Sequence, residues 1–254
     1  MNRWRWGVNK PRRKRRILIV GEGRETEYNY FVGLRTMFEA ELEATATSVS
    51  VRRGKGGDAR QIVNTAIAEA KKFDPDRKAG DLVFLLLDTE GAGRAPELPA
   101  AERLAQKNKI EIVYSSPAFE YWLLCHFLHV PRRHFEDCDA VIVELEKKWK
   151  NVRKNGYDKA DPDVFDRVAQ RLATACSEAL LLDLHHIKTT GTAPKTNPST
   201  QVYELVARLI GVKTDDRCPI QGVWRLVADP SVFVPLQKGD PIPDHEGSPA
   251  HWQL

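Results

Sequence analysis

Carboxylates follow two apolar runs of the sequence, at the point where each run ends. Glu22 comes shortly after the run "ILIV", between two glycines, and Asp88 and Glu90 follow the run "LVFLLL". Continuous apolar runs of this length predict central strands of a parallel sheet that are buried on both faces. Because open α/β sheets place ligand sites at the carboxyl ends of their strands, we expect these three carboxylates to lie close together.

A divalent cation would resolve the repulsion within such a cluster. Carboxylates that lie together without a partner raise one another's pKa values. Mg²⁺ takes one or two carboxylates together with waters and substrate phosphates, which is the usual arrangement at phosphoryl-transfer sites. The spacing therefore predicts that Glu22, Asp88 and Glu90 bind Mg²⁺ or Mn²⁺. The alternative is three separate solvated acids at the starts of loops.

Three further ionisable side chains are candidates for the same chemistry. Glu120 lies in the apolar segment "AFEYWLLCHFL", where a carboxylate needs a cation or a helix N-terminus to stay charged. We predict that Glu120 belongs to the site. An Arg or Lys partner would explain a charged carboxylate in this segment equally well. Lys195 in "APKTNPSTQ" and Lys159 in "NGYDKADP" are candidates for contact with a scissile phosphate, although most lysines in such loops are simply solvated.

Cysteine and histidine spacing argues against a zinc site. The four cysteines are scattered without a CxxC spacing, which argues against a zinc knuckle and a disulfide framework and is typical of reduced thiols in a cytoplasm. His126 and His129 lie three residues apart on the predicted buried helix, where core packing is more common than metal ligation. We therefore predict a cytoplasmic protein in which carboxylates, not thiolates or imidazoles, bind the metal.

The elements that position these acids alternate between strand and helix. Strands are predicted at 17–20, "TSVSVR", 82–87 and "IEIVYSS", and helices at about 25–43, 58–72 and 97–107. Asp58 and Gln61 have capping-box spacing at the start of the second helix, and "GKGG" before it is expected to form a plain strand-to-helix turn. The β-α-β-α-β-α-β order favours an α/β fold with a mostly parallel sheet and right-handed crossovers.

The chain is predicted to become helical after this series. Ser116 is expected to cap a buried helix that begins at Pro117, and further helices are predicted at 139–150, 162–184 and 199–210. In residues 212–254 the segment "GVWRLV" is a candidate strand, but five prolines between positions 230 and 249 predict an irregular C-terminal segment. The longest apolar runs are too short to span a bilayer, so no membrane insertion is expected.

Positive charge is concentrated at the start of the chain. Residues 1–16 carry eight basic and no acidic side chains, with Trp4 and Trp6 among them, whereas the net charge of the whole chain is +4. Such an arm is suited to neutralising phosphates and stacking on the bases of RNA or DNA. The alternatives are a solubilising leader or a docking site for another protein. The segment lacks an apolar h-region, so it is not typical of a secretory signal.

Four blocks of the sequence match one known pattern when they are taken together. They are, in order, "ILIVGEGRETEYNYF", "DLVFLLLDTEG", "SSPAFEYWLLCHF" and "NPSTQVYELVARL", and they span about residues 17–211. The set resembles the RloB family, whose core is similar to the Toprim domain of topoisomerases, primases and OLD-type nucleases. The resemblance implies a Toprim-like domain with a helical extension, magnesium-dependent cleavage of phosphodiester bonds, a role in phage defence and, in some relatives, an ATPase partner.

The resemblance also implies roles for single residues. Glu22 matches the Toprim glutamate, which is expected to act as an acid/base group or a metal ligand, and Asp88 and Glu90 match the paired metal-binding acids. Glu120 and Glu27 match further acids of the helical block and the opening block. A Toprim motif usually has aspartate in the second place of the pair, so the longer side chain of Glu90 departs from the pattern.

Three hypotheses for function follow. The first is a metal-dependent nuclease that acts on RNA, such as tRNA, in preference to duplex DNA and serves in anti-phage defence. The second is a non-catalytic nucleic-acid-binding or regulatory subunit of a defence complex, whose basic arm binds nucleic acid or an ATPase partner. The third is another phosphoryl-transfer enzyme, such as a primase-like protein or a nucleotide hydrolase.

Overall fold

The structure, a computed structural model, describes most of the chain. It covers residues 14–90, 94–190, 195–210, 212–213, 222–226, 231–237, 240–246, 248 and 250–253. Residues 1–13 of the predicted basic arm lie outside the described residues. The last two residues of the arm, Arg15 and Arg16, begin the first strand. Within the described ranges, no helix is both long enough and apolar enough to cross a membrane.

A five-stranded sheet forms the centre of the fold. Its strands are β1 (Arg15–Val20), β2 (Thr47–Arg52), β3 (Leu82–Asp88), β4 (Glu111–Ser116) and β5 (Ser199–Thr200). They lie in the order β2-β1-β3-β4-β5. The first four are parallel to their neighbours, and β5 is antiparallel to β4. The predicted α/β class with a mostly parallel sheet is therefore confirmed.

The two strands that precede the acids are neighbours. β1 pairs with β3 in parallel register, with Ile17 opposite Leu82 and Val20 opposite Leu85. Along β1, the residues at 17 and 19 join one buried core cluster, whereas those at 18 and 20 join the other. Both faces of the strand are thus covered, which explains why its sequence is continuously apolar. The prediction that these strands are adjacent and parallel is confirmed.

Helices cover both faces of the sheet. The first four are α1 (Thr26–Met37), α2 (Glu39–Ala44), α3 (Ala59–Phe73) and α4 (Leu98–Lys107). Helices α3 and α4 pack on one face, and α1 packs on the other. Asp58 accepts the backbone N–H of Gln61 and caps α3, so the predicted capping box is confirmed.

The helices after β4 differ from the predictions in their boundaries. They are α5 (Glu120–Cys125), α6 (Cys138–Trp149), α7 (Val164–Val168), α8 (Leu172–Thr190) and α9 (Val202–Ile210). The buried helix begins at Glu120 rather than at Pro117. Ser116 does not cap this helix, because its hydroxyl accepts a hydrogen bond from the Thr89 hydroxyl at 2.8 Å. The helix predicted at 162–184 is divided into α7 and α8 by a 3₁₀ turn, and residues 199–200 form β5.

The described part of residues 212–253 contains four short strands. One of them lies on the candidate strand "GVWRLV", and the other three lie where an irregular segment was predicted. The four strands are β6 (Val212–Lys213), β7 (Gly222–Leu226), β8 (Phe233–Leu236) and β9 (His251–Gln253). They form a second sheet in the order β6-β9-β7-β8. Trp224 of β7 is completely buried and belongs to the same core cluster as residues of α1 and α8. The second sheet therefore extends the core of the main domain.

His126 is a buried core residue, as predicted. Its Nδ1 lies 3.0 Å from the carbonyl oxygen of Trp122, and its Nε2 lies 3.1 Å from the hydroxyl of Tyr30. A carbonyl can only accept, so Nδ1 carries the proton and the tyrosine donates to Nε2. Burial lowers the pKa of His126 to about 3. The ring is therefore neutral in the folded protein.

We expect His126 to make the protein less stable in mild acid. An unfolded histidine has a pKa of about 6.5, so protons bind the unfolded chain preferentially between about pH 6.5 and pH 3, and the free energy of unfolding falls as the pH falls through that window. The expected loss from this residue is about 2 kcal/mol between pH 6.5 and pH 5. Urea unfolding should show it in the wild type and in His185→Gln, a control at an exposed histidine, but not in His126→Phe. Equal pH dependence in all three proteins would contradict the prediction.

Candidate active site

A pocket at the carboxyl edge of the sheet brings together most of the predicted site. Its volume is about 310 Å³. The residues that line it are Glu22, Gly23, Arg24, Glu25, Thr26, Glu27, Asp88, Glu90, Phe119, Glu120, Cys138 and Lys159. Half of these side chains are carboxylates, and four of the five predicted catalytic residues are among them. Acids that are far apart in the sequence therefore meet in one cavity.

The backbone of the Glu22 turn is held by the glycine-rich segment 54–57. Gly54 donates its N–H to the carbonyl of Gly23 at 2.8 Å, and Gly56 donates to the carbonyl of Glu22 at 3.1 Å. A Cβ atom built on Gly54 would lie 1.9 Å from the Glu22 carbonyl oxygen and 2.3 Å from that of Gly21. Only a residue without a side chain fits this close approach. The segment predicted as a plain turn therefore also supports the backbone of the site.

Both carboxylate oxygens of Glu22 are held by donors from this chain. Oε2 accepts the backbone N–H of Asp88 at 2.8 Å, and Oε1 accepts Nη1 of Arg94 at 2.7 Å. Burial raises the pKa of Glu22 to about 7, although Arg94 and the backbone hydrogen bond act in the opposite direction. The side chain is thus fixed in one orientation at the end of β1.

Asp88 lies among other negative charges. Burial raises its pKa well above the ordinary range, and the charges of Glu22, Glu27 and Glu120 raise it further. Burial also raises the pKa of Glu27, whose Oε1 accepts the N–H of Gly23 at 3.0 Å. Asp88 forms no ion pair with any described residue. The mutual repulsion that the spacing predicts is therefore present.

The donors in this pocket suit a hard divalent cation, but they do not form a complete ligand set. Across the described ranges, no group of three or more His, Cys, Asp or Glu side chains is arranged to hold a metal ion. Glu90 instead forms an ion pair with Nη2 of Arg94 at 2.8 Å. Mg²⁺ commonly needs only one or two carboxylates and keeps several waters. Asp88 forms no ion pair with a described basic residue, and Glu22 lies beside it. These two side chains supply the one or two carboxylates that Mg²⁺ requires.

Glu120 is at the centre of a second group in the pocket. Lys159 Nζ lies 3.1 Å from its Oε1, and the Tyr157 hydroxyl donates to the same oxygen at 3.2 Å. The thiol of Cys138 donates to Oε2 at 3.3 Å. Burial lowers the pKa of Lys159, but the neighbouring Glu120 carboxylate acts in the opposite direction, and the pKa stays above its ordinary value. Glu120 therefore has the lysine partner that the sequence left open as an alternative.

Lys195 does not line this pocket. It forms an ion pair with Glu102, and its Nζ lies 4.9 Å from the ring centroid of Tyr114. Neither partner, Glu102 on α4 or Tyr114 in β4, lines the pocket. Of the two lysines that the sequence singled out, the structure places only Lys159 among the acids.

Sequence reasoning missed three residues of the site. Arg94, Tyr157 and Cys138 all contact the predicted acids through their side chains. For Arg94 a weak signal existed, since it follows Glu90 by four residues in "EGAGR". Tyr157 and Cys138 reach the pocket from segments far along the chain, and no local pattern marks them.

Comparisons with known proteins agree with the resemblance seen in the sequence. No curated protein matches the chain. A crystal structure of S. aureus homoserine dehydrogenase aligns with 77% of this chain and 58% of that chain, at 12% identity and a TM-score of 0.23. The alignment spans less than two thirds of that protein, and a likeness this weak carries no argument. The family model described as RloB-like protein matches residues 17–209. Because this match covers most of the 254 residues, the chain belongs to the RloB-like family.

Proposed function

We propose that this protein is a metal-dependent nuclease of the Toprim type that hydrolyses phosphodiester bonds of RNA, such as tRNA, in anti-phage defence. The observation that carries the proposal is the single pocket in which Glu22, Asp88, Glu27 and Glu120 converge at the ends of parallel strands. Burial raises the pKa values of Glu22, Glu27 and Asp88, and buried carboxylates of this kind in a cleft are typical of functional sites. Phosphoryl-transfer sites use such clusters to hold Mg²⁺ or Mn²⁺ against a phosphate.

The residues divide into two roles within this proposal. Asp88 and Glu22, with Glu90, would hold the cation, which when bound supplies charge for the phosphate oxygens and lowers the pKa of a bound water. Lys159 provides positive charge within the pocket that does not depend on a metal. Its side chain is 55% exposed, so a phosphate that enters the pocket can reach it.

We expect Lys159→Ala to slow cleavage more than Lys195→Ala does. Loss of one group that stabilises developing negative charge typically costs on the order of a hundredfold to a thousandfold in rate. Lys195 does not line the pocket, so its removal should cost much less. The measurement is the single-turnover rate for both variants at saturating Mg²⁺. A larger loss of rate in Lys195→Ala would contradict the prediction and would indicate that the phosphate is bound outside this pocket.

Exposed basic residues beside the pocket support binding to a nucleic-acid backbone. Lys55 lies between the two glycines that bind the Glu22 turn, and Arg60 is in the first turn of α3. Both side chains are exposed and form no ion pair with the described residues. The N-terminal arm contains further basic residues, which make a second contact with a nucleic-acid backbone part of the proposal. The preference for RNA and the ATPase partner rest on the family resemblance.

The second candidate is a non-catalytic nucleic-acid-binding or regulatory subunit. One observation favours it: Arg94 binds both Glu22 and Glu90, and these are two of the three predicted metal ligands. In this alternative the arginine neutralises the acids permanently, and the pocket has a structural role.

A cleavage assay distinguishes the two functions. Purified protein is incubated with tRNA, single-stranded DNA and duplex DNA in Mg²⁺, Mn²⁺ or EDTA. The nuclease proposal expects cleavage of tRNA that requires a divalent cation and stops in EDTA. Binding of nucleic acid without cleavage under any of these conditions, with or without ATP and an ATPase encoded nearby, would favour the regulatory subunit.

A further inference from the structure

Arg94 is a buried arginine that joins three segments of the site. Its side chain is only 6% exposed. The guanidinium binds Oε1 of Glu22 at 2.7 Å and Oε1 of Glu90 at 2.8 Å. It also donates to the backbone carbonyls of Asp88 at 2.9 Å and Gly57 at 3.2 Å. These four contacts connect the turn after β1, the end of β3 and the glycine-rich segment.

The arginine engages the same carboxylates that the metal proposal needs. Oε1 of Glu22 is occupied by Arg94, and Oε2 by the backbone N–H of Asp88. A cation that binds Glu22 must therefore share or displace a charged hydrogen bond, and it must also approach a fixed positive charge. Both effects weaken its binding, because an ion pair with little solvent around it is screened poorly.

The backbone at Glu90 is a second, independent observation. Its φ angle is +46°, a left-handed conformation that is unfavourable for a residue other than glycine. The ion pair with Arg94 helps to offset that cost.

We infer that Arg94 is the internal counter-ion of the metal-free site and that it competes with the divalent cation for Glu22 and Glu90. The inference rests on the proposed metal-dependent function. In the metal-free protein the guanidinium neutralises two carboxylates that would otherwise repel Asp88. Metal binding requires that one or both of these ion pairs open, so the arginine sets the cation concentration at which the site fills.

Mn²⁺ binding without nucleic acid tests the inference directly. Free Mn²⁺ is measured by electron paramagnetic resonance during titration of the wild type, Arg94→Gln and Arg94→Lys. We expect Arg94→Gln to bind Mn²⁺ about tenfold more tightly, because a charged hydrogen bond is worth about 1.5–3 kcal/mol and each 1.4 kcal/mol is a factor of ten. Arg94→Lys should fall between the two, since one ammonium cannot bridge both carboxylates in the same way.

Arg24→Gln is the matched control. Arg24 lines the same pocket but is exposed and forms no ion pair with the described residues. It should change Mn²⁺ affinity by no more than about twofold, because an exposed charge is largely screened. An equal gain in Arg24→Gln and Arg94→Gln would show that only net charge matters, and the inference would be wrong.

The remaining outcomes separate this inference from the proposed function. If the wild type binds Mn²⁺, Asp88→Asn does not, and Arg94→Gln binds no more tightly than the wild type, the inference fails while the metal site stands. If neither the wild type nor Arg94→Gln binds Mn²⁺, both fail. Thermal unfolding checks that each variant is folded, and if Arg94→Gln does not fold, the Arg94→Lys titration decides, with tighter binding than the wild type as the expected result.

Discussion

Asp88→Asn is expected to abolish metal-dependent cleavage and to leave the protein folded. The amide keeps the size of the side chain but lacks the negative charge that holds a hard cation, so the rate should fall by on the order of a thousandfold. Burial and neighbouring acids raise the pKa of Asp88, which means that its ionised form destabilises the folded protein. Replacement by a neutral side chain should therefore maintain or increase the stability of the metal-free protein.

The measurement compares cleavage rates with thermal unfolding across a range of Mg²⁺ and Mn²⁺ concentrations. Asp139→Asn is a suitable control, because Asp139 is exposed at the start of α6 and does not line the pocket. The control should cleave at the rate of the wild type. If folded Asp88→Asn does so as well, the Toprim-like mechanism is wrong for this chain, and the regulatory alternative becomes the better explanation.

Gly54→Ala is expected to damage both stability and cleavage, although residue 54 carries no chemistry. The new Cβ would lie 1.9 Å from the Glu22 carbonyl oxygen, so the Glu22 turn and the glycine-rich segment must move apart. Such overpacking typically costs about 1–3 kcal/mol. A displacement of about 1 Å at a catalytic group costs on the order of a hundredfold in rate. Urea unfolding and single-turnover cleavage measure the two effects.

Gly56→Ala separates this steric effect from a general effect of substitution in the same segment. A Cβ at Gly56 meets no atom within 4 Å, but the residue has a φ angle of +69°. The expected cost is therefore about 1 kcal/mol of backbone strain, with nearly normal cleavage by the folded protein. Equal loss of activity in both variants would show that the close contact at Gly54 is not what positions Glu22.

The sequence was informative about the sheet because both faces of its central strands are buried. The continuous apolar runs in β1 and β3 leave little alternative to a central position. Their common direction then brings the acids that follow them to one edge of the sheet. Glu22 and Asp88 could therefore be located together from local patterns and the general rule for α/β sheets.

Side-chain partners could not be predicted in the same way. Arg94 binds Glu22 across 72 positions of sequence, and Tyr157 binds Glu120 across 37. Such contacts depend on how loops are folded over the edge of the sheet, which periodicity does not describe. For the same reason, Lys195 and Lys159 looked equivalent in the sequence, although only Lys159 lies in the pocket.

The C-terminal sheet was missed because its strands are too short to show a period. The strands β6 and β9 have two and three residues, and β8 contains a proline. Trp224 was the available signal, since a large aromatic side chain in a short apolar segment is typical of a buried position. The segment "GVWRLV" was a candidate strand in the sequence, but its partner strands were not predicted.

The direction of β1 sets the distance between the attachment point of the N-terminal arm and the carboxylate pocket. The strand enters the sheet at Arg15 and ends at Val20, and six residues of strand span about 20 Å. The basic arm is therefore attached to the edge of the sheet that is opposite to the carboxylate pocket. A duplex rises about 3.4 Å for each base pair, so 20 Å corresponds to about six base pairs. The attachment point of the arm and the pocket are thus separated by more than half a turn of a nucleic-acid helix.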